Sequence, residues 1–523
     1  MLNMNNNLKF SGKYCLLVLL SVLSNSLLAN IKLPALLADH MVLQQQADVA
    51  LWGWADPGET VEVIGSWNNK KVKATADAQG NWQLKVSTSK AGGPYALSFK
   101  GKNEVNLKDI YLGEVWICSG QSNMHFPVAP IENSGWATGV ENYEQEIAQA
   151  NYPKIRMFTV ERKVADEPQK DVVGDWQVCN PATVGDFSAV AYFFARELVE
   201  KTGLPVGLIN TSWGGTPAEG WTKKEVLESD ADFIPILERY NADVEKYPEA
   251  IEVYRKELEQ WRKEAESAKQ KGETPAAAPR EPMGPKHHKS PYKLYNAMVA
   301  PLLPYTIKGA IWYQGESNAD RAYQYRKLFP AMIANWREGW GYNFPFYFVQ
   351  IAPHRSQRPE IREAQLLTMQ SVPNTGMAVV TDAGDSLDIH PRNKQVVGKR
   401  LSLWALSKDY GQKDVVYSGP IYKSMKVDGD KIVLSFDHVD GGLVARGGEL
   451  SDFTIAGADQ KFVKAKAKIE GKQVVVWSDQ VQNPVAVRFA WELIPAPNFY
   501  NKAGLPASPF RTDVWPAETY DAL

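Results

Sequence analysis

Four polar, glycine-bearing clusters in this 523-residue chain each follow an apolar run that reads as a buried strand. Ser119-Gly120-Gln121-Ser122-Asn123-Met124 follows Val115-Trp116-Ile117-Cys118, and Asn210-Thr211-Ser212-Trp213-Gly214-Gly215-Thr216 follows Gly207-Leu208-Ile209. Gln314-Gly315-Glu316-Ser317-Asn318 follows Ala310-Ile311-Trp312-Tyr313, while Asp382, Asp385, Asp388 and His390 follow Ala378-Val379-Val380-Thr381. Together they hold the parts of acyl transfer. Ser122 in a glycine turn is the candidate nucleophile and His390 the candidate base and then acid. A nearby aspartate would orient the imidazole, and the glycine loops would supply donors for an oxyanion. Neutral serine is a weak nucleophile, so the chemistry requires the histidine. The order Ser, Asp, His and the absence of Gly-x-Ser-x-Gly argue against the nucleophile elbow of the α/β-hydrolases.

Bringing these clusters together needs a parallel sheet, because ligands of open α/β sheets bind beyond the carboxyl ends of the strands. The pattern supplies one. Runs at Leu112 to Cys118, Lys154 to Val160, Val206 to Asn210, Ile307 to Tyr313, Phe346 to Ile351 and Met377 to Thr381 alternate with helical stretches. Ser188 caps a helix with Val190, Phe194 and Leu198 on one face, ended by Gly203. Other helices are expected around Tyr323 to Trp336 and Pro359 to Met369, and after Pro391, placed as a first-turn proline, with Val397, Leu401 and Trp404 on one face.

Gly120-Gln121-Ser122-Asn123-Met124, Trp213-Gly214-Gly215-Thr216, Trp312 through Asn318 and Asp388-Ile389-His390-Pro391 together resemble the bacterial sialate O-acetylesterases. These form a carbohydrate-esterase branch of the SGNH hydrolase superfamily. The resemblance extends over nearly the whole chain beyond the leader, and implies a flavodoxin-like fold and removal of acetyl groups from sugar hydroxyls without metal or organic cofactor. Carried over by position, Ser122 matches the nucleophile, and its N–H, Gly215 (or Gly214) and Gln314, the third-block amide, match the oxyanion donors. Glu316 lies close by, to bind substrate or support the site; Asn123, Trp213 and Asn318 are further substrate-binding candidates. The superfamily's acid usually stands three residues before the histidine, where this chain has Leu387. Asp388 is the expected acid, with Asp382 and Asp385 as alternatives.

Around this core the expected organisation is a signal peptide over residues 1–29, a β-sandwich over 30–110, the α/β catalytic domain over 111–410 and a β domain over 411–523. The signal reading rests on Lys9 and Lys13 before an apolar stretch from Tyr14 to Leu28 and Ala29; it predicts a secreted or periplasmic protein with no stable membrane insertion after cleavage. Residues 222–290, rich in Glu, Lys and Ala, read as a charged helical excursion, a hairpin or lid, with His287 and His288 as a solvent-facing pair in its tail. Cys118 and Cys179 could pair in an oxidising compartment or remain buried thiols.

Lys and Arg number 58 against 60 Asp and Glu, a net charge of −2, which lacks the basic surplus of a nucleic-acid binder. Three cysteines build no disulfide scaffold. The 17 Trp and 22 Tyr suit stacking on sugars as well as a core. A glycoside hydrolase could use Glu316 and Asp388 as its carboxylate pair, but that leaves Ser122 and the Gly214-Gly215 loop without a role. A non-catalytic carbohydrate-binding protein would need neither Ser122 nor His390. Within the esterase reading, O-acetylated sialic acid stands first, and acetylated xylan or xyloglucan second. An arginine for a sialic carboxylate would be sought among Arg156, Arg321, Arg355, Arg358 and Arg392.

Overall fold

The computed structural model describes residues 30–439 and 441–523; the expected signal segment lies outside them. Six short strands, β1 (Val42–Gln44), β2 (Asp48–Trp54), β3 (Thr60–Gly65), β4 (Lys71–Thr75), β5 (Asn81–Ser87) and β6 (Gly92–Lys100), precede the 17-residue β7 (Glu104–Gly120). In β5 buried Trp82, Leu84 and Val86 alternate with more exposed residues, as a strand covered on one face requires. β7 pairs with β6 and β1 in its first part and enters the central sheet with its second, so the expected boundary at 110–111 falls inside one continuous strand.

The central sheet adds β8 (Tyr152–Thr159), β9 (Trp176–Cys179), β10 (Val206–Ser212), β11 (Gly309–Tyr313), β12 (Phe346–Gln350) and β13 (Thr375–Val379), in the order β13-β12-β11-β7-β10-β8-β9. All are parallel except the edge strand β9. Taken alone, β7, β10, β11, β12 and β13 stand in the order 2-1-3-4-5, the doubly wound arrangement whose winding reverses between β7 and β11.

The helices are α1 (Ser122–His125), α2 (Tyr143–Ala148), α3 (Ala189–Thr202), α4 (Lys224–Glu228), α5 (Ile234–Gln270), α6 (Ala322–Trp340), α7 (Pro359–Ser371) and α8 (Lys394–Lys408). Period-two alternation in β12 shows how they cover both faces. Phe346 and Phe348 pack on Phe329 of α6, whereas Tyr347 between them meets Trp404 of α8. Trp116 of β7 lies on the α8 side, edge-on to Phe194 of α3. Burial on both faces explains why these strands read as unbroken apolar runs. Ser188 caps α3 by accepting from Ala191 N–H, and Gly203 ends it in the left-handed conformation.

Two expectations are corrected. Asn393, not Pro391, begins α8: its side chain accepts from Val396 N–H, a bond that proline cannot make. The charged excursion is the short α4 and one long helix rather than a helical hairpin. α5 runs 37 residues and the chain returns along it, with Trp261 Nε1 donating to Ala276 O at 2.7 Å. Few of its side chains are buried, so its Glu and Lys remain solvated.

Cys118 and Cys179 are both buried free thiols. Beyond residue 420, two four-stranded sheets enclose an aromatic core in which Phe436 meets Phe499 and Phe510. Buried polar bonds tie this region to the central layers: Gln350 Nε2 donates to Ser508 Oγ at 2.9 Å, and Arg511 Nε to Glu363 Oε1 at 2.7 Å. No helix among the described residues is long and apolar enough to cross a membrane.

Gly120, the last residue of β7, has φ +139°, and a Cβ there would sit 2.1 Å from Tyr313 O of β11. Gly120→Ala therefore forces the two strands apart and is expected to cost at least about 2 kcal/mol, read as a lowered midpoint in urea unfolding.

Candidate active site

Ser122 is the first residue of α1, immediately beyond the carboxyl end of β7, so its backbone N–H has no partner within that helix. The strand end is held on both sides: Gln121 N–H donates to Tyr313 O at 2.9 Å, and Trp213 N–H to Gly120 O at 3.1 Å. Those bonds place the Trp213-Gly214-Gly215 loop beside the serine. A Cβ on Gly214 would lie 3.3 Å from Ser122 Cβ, so the loop backbone approaches because that side chain is absent.

His390 arrives from the segment between β13 and α8. Its Nε2 lies 2.8 Å from Ser122 Oγ, across 268 residues of sequence. The other nitrogen, Nδ1, faces Asp388 Oδ1 at 3.6 Å, an ion-pair separation longer than a hydrogen bond. The same carboxylate oxygen accepts from His390 N–H at 2.9 Å. Asp382 is occupied elsewhere, in a bidentate pair with Arg400, and Asp385 Oδ1 accepts from the N–H groups of Leu387 and Asp388. Trp136 and Phe126 flank the imidazole, with ring centres at 5.1 and 6.4 Å. Burial, and next the positive charge of Lys394, push His390 down to about 4, with Asp388 opposing. The ring is thus neutral at pH 7, the form that can accept a proton.

The crevice over this pair has a volume of about 960 Å³. Ser122, His390, Gly214, Gly215, Trp213 and Glu316 all border it. Three other candidates lie beneath its floor. Gln314 is fully buried, and its Nε2 donates to Asn318 Oδ1 at 2.6 Å and Thr216 O at 3.3 Å, so it is not free to act as an oxyanion donor. Asn318 is committed likewise: Oδ1 also accepts from Ala218 N–H, and Nδ2 donates to Glu219. Asn123 Nδ2 donates to Glu316 Oε1 at 2.6 Å and Ile389 O at 3.0 Å, leaving it nothing to offer a substrate. Each is a buried amide whose hydrogen bonds are satisfied internally, as burial demands.

None of the five arginines singled out from the sequence borders this crevice. Arg156 is buried against Asp109 and Arg392 holds the carbonyls of Gly139 and Val140. Arg355 and Arg358 border a separate cleft, and Arg321 pairs with Glu219 in an adjoining chamber. Arg162 and Arg280 border the crevice instead. His287 and His288 do not face away from the protein: they stack at 4.5 Å, and His288 stacks on Trp213 at 5.3 Å. The return from α5 thereby forms one wall of the crevice. Sequence reasoning also passed over Lys394, fully buried beside His390. A lysine in the first turn of an apolar-faced helix, where the helix dipole disfavours a cation, was the available signal.

A serine hydroxyl within hydrogen-bond reach of a neutral imidazole, at the switch point of a doubly wound sheet, is an arrangement suited to acyl transfer. The comparisons agree with a hydrolase of that class. Residues 112–267 and 256–405 match the family model described as carbohydrate esterase, sialic acid-specific acetylesterase. The sialate O-acetylesterase of Rattus norvegicus is 29% identical over 95% of this chain and 96% of its own length, and that of Homo sapiens 28% over 90% of each. The crystal structure of a carbohydrate acetylesterase from Xanthomonas citri superposes with a TM-score of 0.78, 36% identity, and coverage of 93% of this chain and 100% of that one. The chain is a carboxylic ester hydrolase that acts on O-acetyl esters of carbohydrates. It belongs to the sialic acid-specific acetylesterase family of carbohydrate esterases.

Followed by NMR, the His390 ring is expected to protonate with a midpoint near 4, well below an exposed imidazole. A midpoint at or above 6.5 would contradict the desolvation assigned to it.

Proposed function

We propose that this enzyme is a serine esterase that deacetylates carbohydrates through a Ser122–His390–Asp388 acyl-enzyme mechanism, with O-acetylated sialic acid as the leading substrate, and that its central sheet is the flavodoxin-like fold of an SGNH hydrolase. The observation that carries the mechanism is the 2.8 Å contact between His390 Nε2 and Ser122 Oγ. Ser122 Oγ attacks the acetyl carbonyl carbon while His390 Nε2 takes its proton. The tetrahedral oxyanion is received by the N–H groups of Ser122 and Gly215. Collapse expels the sugar oxygen, to which His390 returns the proton, leaving acetyl-Ser122. Water, activated by His390, then releases acetate and regenerates the serine. Asp388 stabilises the imidazolium in both steps, its 3.6 Å separation tightening once substrate excludes water.

Sialic acid is supported by the names of the mammalian relatives and by Arg162 and Arg280 at the crevice, either of which could pair with a carboxylate. Trp136 and Trp213 in the same walls favour a second reading, a neutral acetylated glycan such as xylan or xyloglucan stacked on an indole. Export through the 1–29 segment, and the division at 30–110, 111–410 with its insertion at 222–290, and 411–523, belong to the same proposal.

Ser122→Ala and His390→Ala are each expected to lower kcat/KM for acetate release by about 10³-fold or more. Asp388→Asn should lose far more activity than Asp385→Asn, and equal mild losses in the two would remove Asp388 from the mechanism. Substrate is decided by parallel acetate-release assays on O-acetylated sialic acid and acetylated xylo-oligosaccharides, with Ser122→Ala as the blank. Faster release from the xylo-oligosaccharides would establish the second reading. Because His390 is held low, the acid limb of kcat/KM set by this ring should lie near pH 4 rather than near the 6.5 of an ordinary imidazole.

A further inference from the structure

Lys394 is fully buried at the first position of α8, the end where the helix dipole opposes a positive charge. A cation so placed is costly unless its partners compensate. Its Nζ donates to Asn123 Oδ1 at 2.5 Å and stands over the faces of Phe126 and Tyr313, 4.8 and 5.4 Å from the ring centres. Burial pushes the ammonium down to about 7, while the charges of Glu316 and Asp388 resist the loss of its proton.

Asn123 is the residue after Ser122, and its Nδ2 donates to the carbonyl of Ile389, the residue before His390, as well as to Glu316 Oε1. One side chain thus ties the nucleophile's turn to the segment bearing the base. An asparagine amide can turn over and exchange its donor and acceptor ends. An ammonium has only donors, so Lys394 holds Oδ1 toward itself and thereby Nδ2 toward Ile389. We propose, on the basis of the catalytic reading above, that Lys394 is a positioning residue: acting through Asn123, it sets the His390 segment against Ser122.

The charged and titratable groups acting on His390 are Asp388 and Lys394 from its own segment and helix, and His354 from the loop after β12; Ser122 from α1 faces it as a neutral hydroxyl. Of these Lys394 and His354 lower the proton affinity of the ring and Asp388 raises it. Loss of the lysine charge therefore moves the acid limb of the rate profile to higher pH.

The test is Lys394→Met, similar in length and uncharged, read with an acetyl ester over pH 3–9 and with a serine-directed phosphonate that counts active sites. Per active site, kcat should fall about tenfold or more, as displacement of a reacting group does, with KM changed less than about twofold. The acid limb of kcat/KM should move up by a measurable fraction of a pH unit. Since the single variant strands Glu316 in the interior, Lys394→Met/Glu316→Gln removes both charges and is read in the same way if the single variant fails to fold. A purely structural lysine would lower the count of active sites and leave per-site kcat and the acid limb unchanged, which overturns the proposal. Failure of both variants to fold overturns it equally. If Ser122→Ala or His390→Ala retains full activity, the catalytic reading itself fails, a result distinguishable from an inert Lys394.

Discussion

Gly120 is where β7, β10 and β11 meet, and the geometry of the site follows from how closely they meet there. Its backbone is in register with Tyr313 on one side and Ser212 on the other, and Tyr313 O occupies the space a side chain would need. The strand ends at this residue, and the chain turns at once into α1 with Ser122 as its first residue. The adjoining glycine loop is bonded to the same residue through Trp213 N–H. The Ser122 hydroxyl, an N–H without a partner in its own helix and a second glycine backbone are brought together by backbone hydrogen bonds, which hold position better than side chains on a loop could.

Around that junction lies a layer of buried amides. Asn123 directly follows Ser122, and Gln314 and Asn318 belong to the third polar cluster, yet their polar atoms are consumed in fixing one loop to another. Removing such groups from water requires that nearly every donor and acceptor be met, and a fully met network is rigid. The crevice itself is bordered by other residues: Trp136, Trp213, Arg162 and the stacked His287 and His288. Floor and walls thus differ in character, the floor holding Ser122 and His390 in register and the walls presenting aromatic and basic side chains to the crevice.

The charge pattern follows the same division. His390 is surrounded by aromatic rings and a buried lysine that favour its neutral form, while Asp388, its side chain 42% exposed, supplies the opposing charge from the solvent side. A carboxylate so exposed is screened by solvent, so its pull on the ring is weaker than that of a buried charge at the same distance. The β-rich ends of the chain bury their own aromatic cores and reach the central layers through β7 and through bonds such as that of Arg511 with Glu363.

Much of this was legible in the residues. Strands buried on both faces read as apolar runs, Ser188 and Gly203 announce the ends of α3, and four clusters after four strands imply one crevice, because strand direction in a parallel sheet is a local property of the chain. The roles of side chains within the clusters were not legible. Whether Gln314 or Asn123 faces a ligand or a neighbouring loop depends on side chains from residues far away in sequence, and amide spacing carries no trace of that choice. The same holds for α5, where composition specifies a solvated helix but not that the chain beyond it folds back to place His288 on Trp213. Sequence alone determined most of the elements, their order and the candidate residue types for chemistry, since these rest on periodicity, caps and the chemistry of single side chains. Only the tertiary structure decided which polar groups are free to act, because a buried donor or acceptor is defined by the partner it has found.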